Sequence, residues 1–112
     1  MKDTLFVFRP GFSDRGGTWF CPFSAEVIGF LTYYPAIEGT LDVVELGWRK
    51  PREALVDMLG EDHQAAPMLV LGGEPASVPG VTVGEANGHR FVAKTIEILR
   101  YLAATRGVPG PH

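Results

Sequence analysis

The sequence predicts one domain of the α/β class, with a mixed sheet of four or five strands and helices on both faces. Strand-like and helix-like segments alternate in the first half of the 112-residue chain. Such alternation requires parallel neighbours joined by crossover helices. In the second half, two strand-like segments flank Asn87-Gly88, a connection so short that it predicts an antiparallel hairpin. Parallel and antiparallel pairing together define the mixed sheet.

The first half begins with a buried strand over residues 4–8, which is apolar and aromatic and stops at Arg9-Pro10-Gly11. Residues 12–19 mix turn formers with two aromatic residues, which predicts a loop whose rings pack against the body. A helix follows from Cys21-Pro22, because proline suits a first helical turn, and it ends at Pro35. Its predicted buried face consists of Val27, Ile28, Leu31 and Tyr34.

The middle of the chain predicts a strand, a short helix and a second strand. Residues 41–46 are rich in valine and bounded by glycines, which is typical of a strand. Residues 52–59 follow a proline, carry apolar residues on one side and precede Gly60, so they predict a helix. Residues 68–71 are uniformly apolar and predict the third strand.

The last segments leave one alternative open. Either or both of Val81–Val83 and Arg90–Val92 are strands around the Asn87-Gly88 turn. Residues 95–106 predict the final helix, with an apolar stripe of Ile96, Leu99, Leu102 and Ala103. We expect the single domain to cover residues 1–107 and residues 108–112 to form a loose tail.

Composition excludes several classes of function. A net charge of −3 argues against the basic surface of a general nucleic-acid binder. No apolar run approaches the roughly 20 residues of a membrane span. The N-terminal segment does not resemble a signal peptide, so we expect a cytoplasmic protein. The single cysteine, Cys21, excludes an internal disulfide, and the scattered histidines give no metal-site spacing.

Several segments together resemble the thioredoxin-like fold, and glutaredoxins and the N-terminal domains of glutathione transferases are the most similar members. Cys21-Pro22-Phe23-Ser24 resembles the glutaredoxin redox motif, with Ser24 in place of the second cysteine. Ala66-Pro67 is similar to the cis-proline element before the third strand. Residues 91–103 are similar to the transferase segment in which a Glu-Ser pair opens a helix.

The resemblance implies a reactive thiol at Cys21, because unpaired N–H groups at a helix N-terminus favour the thiolate. The alternative is a buried, inert cysteine. Ser24 is the second candidate catalytic residue, through a hydrogen bond to the thiolate, although it could equally satisfy backbone N–H groups of the first turn. Because Ser24 cannot resolve a mixed disulfide, turnover would require glutathione or another small thiol as co-substrate. No permanently bound cofactor is expected.

The resemblance also implies a ligand-binding shelf for a small thiol or a peptide-like ligand. Its residues are Gln64, Ala66, Pro67, Lys94 and Thr95. Ala66 would offer its backbone to an extended ligand, and Thr95 would cap the last helix beside a bound carboxylate. Lys94 stands where the transferases have an acidic residue. It would attract a carboxylate but repel the ammonium group of glutathione.

The whole chain also resembles a family of short bacterial proteins without an assigned function. The shared pattern is represented by Arg9-Pro10-Gly11-Phe12, Cys21-Pro22, Pro51-Arg52 and Gln64-Ala65-Ala66-Pro67. The sequence thus predicts a single-cysteine thiol-disulfide oxidoreductase. The alternative is a binding or homodimerising module that keeps the fold without turnover, since the resolving cysteine is missing. The aromatic residues near Cys21, including Phe12, Trp19, Phe20 and Phe23, would line a pocket or form the loop's own small core.

Overall fold

The sequence folds into seven strands and four helices, which a computed structural model describes over residues 1–112. In chain order they are β1 (Asp3–Phe8), β2 (Phe12–Asp14), β3 (Gly17–Trp19), α1 (Pro22–Tyr33), α2 (Pro35–Glu38), β4 (Leu41–Leu46), α3 (Glu53–Leu59), β5 (Met68–Leu71), β6 (Gly84–Ala86), β7 (His89–Val92) and α4 (Thr95–Arg106). The strands at 68–71 and 41–46 and the final helix have the predicted bounds. No helix combines the length and the apolar character that crossing a bilayer requires.

The five-stranded sheet has the order β4-β1-β5-β7-β6. Strand β1 pairs in parallel with β4 and antiparallel with β5, while β7 pairs antiparallel with both β5 and β6. The predicted mixed sheet is therefore confirmed. The parallel pair needs the crossover through α1 and α2, whereas the β6–β7 pair needs only a two-residue turn.

Helices cover both faces of this sheet. On one face, α1 and α4 enclose a cluster of twelve buried residues that includes Leu5, Leu31, Leu69 and Leu102. On the other face, α3 encloses a smaller cluster of eight that includes Phe6, Phe8 and Leu55. Alternate residues of β1 thus enter opposite clusters, because successive side chains of a strand point to opposite faces.

Residues 12–19, predicted as a loop, instead form the β2–β3 hairpin, a second small sheet. Its turn is made by Arg15 and Gly16, which both have positive φ angles. Phe12 stacks on Trp48 with ring centroids 4.7 Å apart, and this contact anchors the hairpin to the loop after β4. The backbone pairing itself is local, and the turn formers of this segment make a two-residue hairpin turn instead of a loop.

The two alternatives for the closing hairpin are now resolved. Arg90–Val92 belongs to β7, whereas Val81–Val83 is not a strand, and the partner strand is Gly84–Ala86. Asn87 and Gly88 form the predicted turn, with φ angles of 52° and 78°. This turn places Gly84 opposite Phe91, where a Cβ atom would lie 2.5 Å from the ring. Only glycine fits that register.

The buried face of α4 is rotated from the predicted stripe. Its buried apolar residues are Ile98, Tyr101, Leu102 and Ala103, while Ile96 is exposed and Leu99 is only partly buried. The Tyr101 hydroxyl accepts a hydrogen bond from the Ala76 backbone N–H at 3.2 Å. Because α4 carries apolar residues around much of its surface, tertiary contacts decide which stripe enters the core. Helix α2, which follows Pro35, was not predicted.

Candidate active site

Cys21 occupies the N-cap position of α1, with an extended backbone at φ −84° and ψ 116°. Its Sγ accepts a hydrogen bond from the Ser24 backbone N–H at 3.4 Å. The sulfur therefore takes the place that a hydroxyl or carboxylate oxygen takes in a common N-cap. Pro22 follows at the first helical position, where its missing N–H has no intrahelical partner to lose. The Ser24 N–H thus gives the sulfur a hydrogen-bond donor within the first turn of the helix.

Ser24 has two separate contacts. Its backbone N–H binds the Cys21 sulfur, whereas its hydroxyl accepts a hydrogen bond from the Phe8 backbone N–H at 3.0 Å. The side chain is buried, so this second bond ties the first turn of α1 to the end of β1. The sequence predicted that the hydroxyl would contact the thiolate or the helix's own N–H groups. The structure instead directs it to a backbone N–H of the sheet.

The aromatic residues near Cys21 divide into two groups. Phe12 lies inside a cluster with Phe8 and Trp48. Trp19, Phe20 and Phe23 remain exposed, with 52%, 62% and 60% of their surface accessible. The loop's own core therefore uses Phe12, and the other three rings are exposed at positions that flank Cys21 in the sequence.

The loop before β5 contains the predicted proline element. The Ala66–Pro67 peptide bond is cis, and Pro67 is buried. The backbone N–H and C=O of Ala66 make no hydrogen bond within the protein. These groups are free to pair with an extended ligand in the manner of an added strand. A second cis bond, at Lys50–Pro51, was not predicted.

The structure brings four of the five predicted ligand residues to one groove of about 470 Å³. Ala66 and Pro67 lie on one side, and Lys94 and Thr95 lie on the other. The remaining residues of the lining are Phe23, Glu26, Ala65, Ala93 and Ile96. Cys21 and Ser24 do not line this groove, but Phe23 and Glu26 belong to the first turns of the helix that Cys21 caps. The groove is thus next to the cysteine in the fold.

The start of α4 differs from the sequence prediction. Lys94 is the N-cap residue and makes no side-chain capping bond, so the prediction that Thr95 caps the helix is wrong. Thr95 is already the first helical residue, whereas a capping side chain must precede the helix on an extended backbone. The Lys94 ammonium lies 3.9 Å from Glu97 Oε2. Glu97 is buried, and its Oε1 accepts a hydrogen bond from the Thr82 backbone N–H.

Gln64, the fifth predicted ligand residue, has contacts of another kind. Its side-chain Oε1 accepts a hydrogen bond from the Arg52 backbone N–H at 2.9 Å. Its backbone C=O accepts a hydrogen bond from the Arg52 guanidinium at 2.5 Å. The amide nitrogen of Gln64 donates to the Glu61 carbonyl. The polar groups of Gln64 thus hold the loop that leads to Pro67, and none of them faces the groove.

Arg52 is the residue that sequence reasoning missed. It is only 8% exposed and its guanidinium packs against the rings of Phe8 and Trp48, 4.5 and 4.9 Å from their centroids. The Trp48 carbonyl accepts two further hydrogen bonds from it. Burial lowers the pKa of Arg52, because desolvation disfavours the charged form. The Pro51-Arg52 pair was visible in the sequence, but nothing local distinguishes a buried arginine from an exposed one.

A comparison with protein families gives one match. The family model described as "Protein of unknown function (DUF3088)" matches residues 2–110. The chain belongs to this family. Neither the curated proteins nor the solved structures contain a match to the chain. Membership in DUF3088 agrees with the resemblance to short proteins without an assigned function, and it adds no activity to the site geometry.

Proposed function

We propose that this DUF3088 chain has a thioredoxin-like fold and acts as a single-cysteine thiol-disulfide oxidoreductase on mixed disulfides. The hydrogen bond from the Ser24 N–H to the Cys21 sulfur is the observation that carries the proposal. The sheet order supports the fold assignment. A sulfur that accepts a hydrogen bond from an N–H of the first helical turn is suited to attack as a thiolate.

The reaction has two exchange steps. In the first, the Cys21 thiolate attacks one sulfur of a disulfide, so that a bond to Cys21 forms and the substrate bond breaks. The departing thiolate takes a proton from water. In the second, the thiolate of a small thiol such as glutathione attacks the sulfur of the group bonded to Cys21, so that a new disulfide forms and leaves and the Cys21 thiolate is released. Electrons pass from the small thiol to the substrate, and Ser24 forms no covalent bond.

The groove beside α1 is the proposed binding site for glutathione, the small thiol that attacks the mixed disulfide. The free N–H and C=O of Ala66 can pair with a peptide-like backbone, and Lys94 offers a cation to a carboxylate. The nearby Glu97 carboxylate offsets part of the Lys94 charge, which reduces the repulsion of an ammonium group. Glutathione is therefore a co-substrate in this scheme, and no permanently bound cofactor takes part. The need for a small thiol fits a cytoplasmic location.

Intact-mass spectrometry after incubation with oxidised glutathione tests the proposal. We expect one glutathione adduct on the folded wild-type protein, none on Cys21→Ser, and loss of the adduct when reduced glutathione is added. The same chain unfolded in denaturant is the matched control, because it contains the same cysteine without the helix N-terminus. A folded protein that reacts no faster than the unfolded chain would contradict activation by the helix.

A second candidate function is a non-catalytic binding or homodimerising module. The exposed rings of Trp19, Phe20 and Phe23 favour it, since large aromatic residues are enriched in protein interfaces. A folded protein that forms no glutathione adduct but sediments as a dimer at micromolar concentration would support this candidate over the oxidoreductase.

A further inference from the structure

A second cavity lies beside Cys21 and is separate from the groove that contains Pro67. It has a volume of about 270 Å³, which is just below the roughly 300–1,000 Å³ of pockets for drug-sized ligands. Its lining comes from the end of β1, the base of the β2–β3 hairpin, the first turns of α1 and one residue of β4. The lining residues are Val7, Phe8, Pro10, Phe20, Cys21, Ser24, Ala25, Ile28 and Glu45.

The residues that α1 contributes follow from helix geometry. Cys21, Ser24, Ala25 and Ile28 have the spacing i, i+3, i+4 and i+7, so they lie along one side of the helix. Phe20 and Ile28 keep 62% and 40% of their surface accessible. An apolar group that entered the cavity would remove part of this surface from water, which is favourable in proportion to the area covered.

The charges around the cavity are balanced. Glu45 is its only charged lining residue, and its carboxylate lies 3.8 Å from the Arg9 guanidinium. No unpaired cation is available for the carboxylates of glutathione. An uncharged apolar group therefore suits this cavity better than an anionic one, whereas Lys94 lies in the separate groove that contains Pro67.

We infer that this cavity is a specificity pocket for an apolar group carried on the sulfur that Cys21 attacks. The occupant is an apolar side chain next to the cysteine of a polypeptide disulfide. The inference rests on the proposed function, because a mixed disulfide at Cys21 brings the group to the cavity. Phe20 is a specificity residue in this arrangement and touches the substrate, not the reacting sulfur.

Methanethiosulfonate reagents test the pocket, since each transfers a chosen thiol group to Cys21 and releases methanesulfinate. Three reagents are compared: the benzyl reagent transfers an apolar group, the sulfonatoethyl reagent an anionic group, and the trimethylammonioethyl reagent a cationic group. For each reagent, the rate constant at Cys21 is divided by that of N-acetylcysteine. We expect the folded protein to prefer the benzyl reagent over both charged reagents by about tenfold, as burial of a small apolar group predicts.

Phe20→Ala and Tyr33→Ala form the test pair, because both rings are exposed but only Phe20 lines the cavity, and Tyr33 lines neither the cavity nor the groove. We expect Phe20→Ala to lose most of the benzyl preference and Tyr33→Ala to keep it. Ile28→Ala should lower the preference as well. Circular dichroism verifies that each variant is folded.

The outcomes separate the two proposals. If the three rate constants at Cys21 have the same ratios to one another as those of N-acetylcysteine, the pocket inference is wrong and the oxidoreductase proposal stands. The pocket inference is also wrong if Tyr33→Ala lowers the preference as much as Phe20→Ala. If Cys21 reacts with no reagent in the folded state, the oxidoreductase proposal fails and the pocket inference fails with it.

Discussion

The two faces of the sheet are built differently. The face covered by α1 and α4 holds the larger cluster of twelve buried hydrophobic residues, and the buried Glu97 of α4 accepts one hydrogen bond there from the Thr82 backbone N–H. The face covered by α3 holds eight buried hydrophobic residues, and its rim includes the buried Arg52 guanidinium, which packs against two aromatic rings and donates to two backbone carbonyls. Cys21 packs against this second, smaller cluster. The larger cluster supplies most of the hydrophobic stabilisation, while the smaller one combines packing with polar contacts that position the candidate site.

This difference has a physical origin. Apolar contacts have no direction, so they stabilise a fold without fixing the orientation of a particular loop. Hydrogen bonds to a guanidinium require defined geometry, and Arg52 makes them to the carbonyls of Trp48 and Gln64. The Arg52 hydrogen bonds therefore fix the loops that flank the site, whereas the larger cluster on the other face contributes more packing.

The largest expected effect is in the first cluster. Leu102 is fully buried there, so Leu102→Ala should reduce the free energy of unfolding by about 2–5 kcal/mol. Urea denaturation followed by circular dichroism measures the change. Ile96→Ala is the control, because Ile96 is 41% exposed on the same helix and should cost much less. Equal losses of unfolding free energy in the two variants would mean that Leu102 and Ile96 are buried to the same extent, which contradicts the buried face described for α4.

Arg52→Met should have the next largest effect, of about 2 kcal/mol, because the carbonyls of Trp48 and Gln64 lose their donors. The loss should be concentrated in the loops of the second face. Hydrogen exchange should therefore speed up in residues 61–67 and less in α4. Arg49→Met, at an exposed position, is the control. Uniformly faster exchange across the chain would contradict a local positioning role.

Ser24→Ala should have the smallest effect, about 1 kcal/mol, because the Phe8 N–H loses its acceptor. The backbone N–H of residue 24 remains, so its bond to the Cys21 sulfur is kept. The rate of adduct formation with oxidised glutathione should change less than twofold. A much slower rate in a folded variant would show that the hydroxyl acts in the chemistry. Ser13→Ala, at an exposed position in β2, serves as the control for stability.

The sequence by itself determined the features that depend on neighbouring residues. The uniform apolar character of 68–71 specified a buried strand, and Asn87-Gly88 specified a turn with two positive φ angles. Cys21-Pro22 marked the start of α1 because both residues suit the first positions of a helix. These signals act within a few residues, where backbone sterics and hydrogen bonding decide the conformation.

Tertiary structure alone decided the features that join distant segments. Phe12 stacks on Trp48 and so fixes where the β2–β3 hairpin lies, and Gln64 is bound to Arg52 twelve residues away. The face of α4 that becomes buried and the groove that unites Ala66 with Lys94 also depend on how elements pack. A single sequence carries no periodic signal for such contacts, because they arise only when the folded chain places these groups side by side.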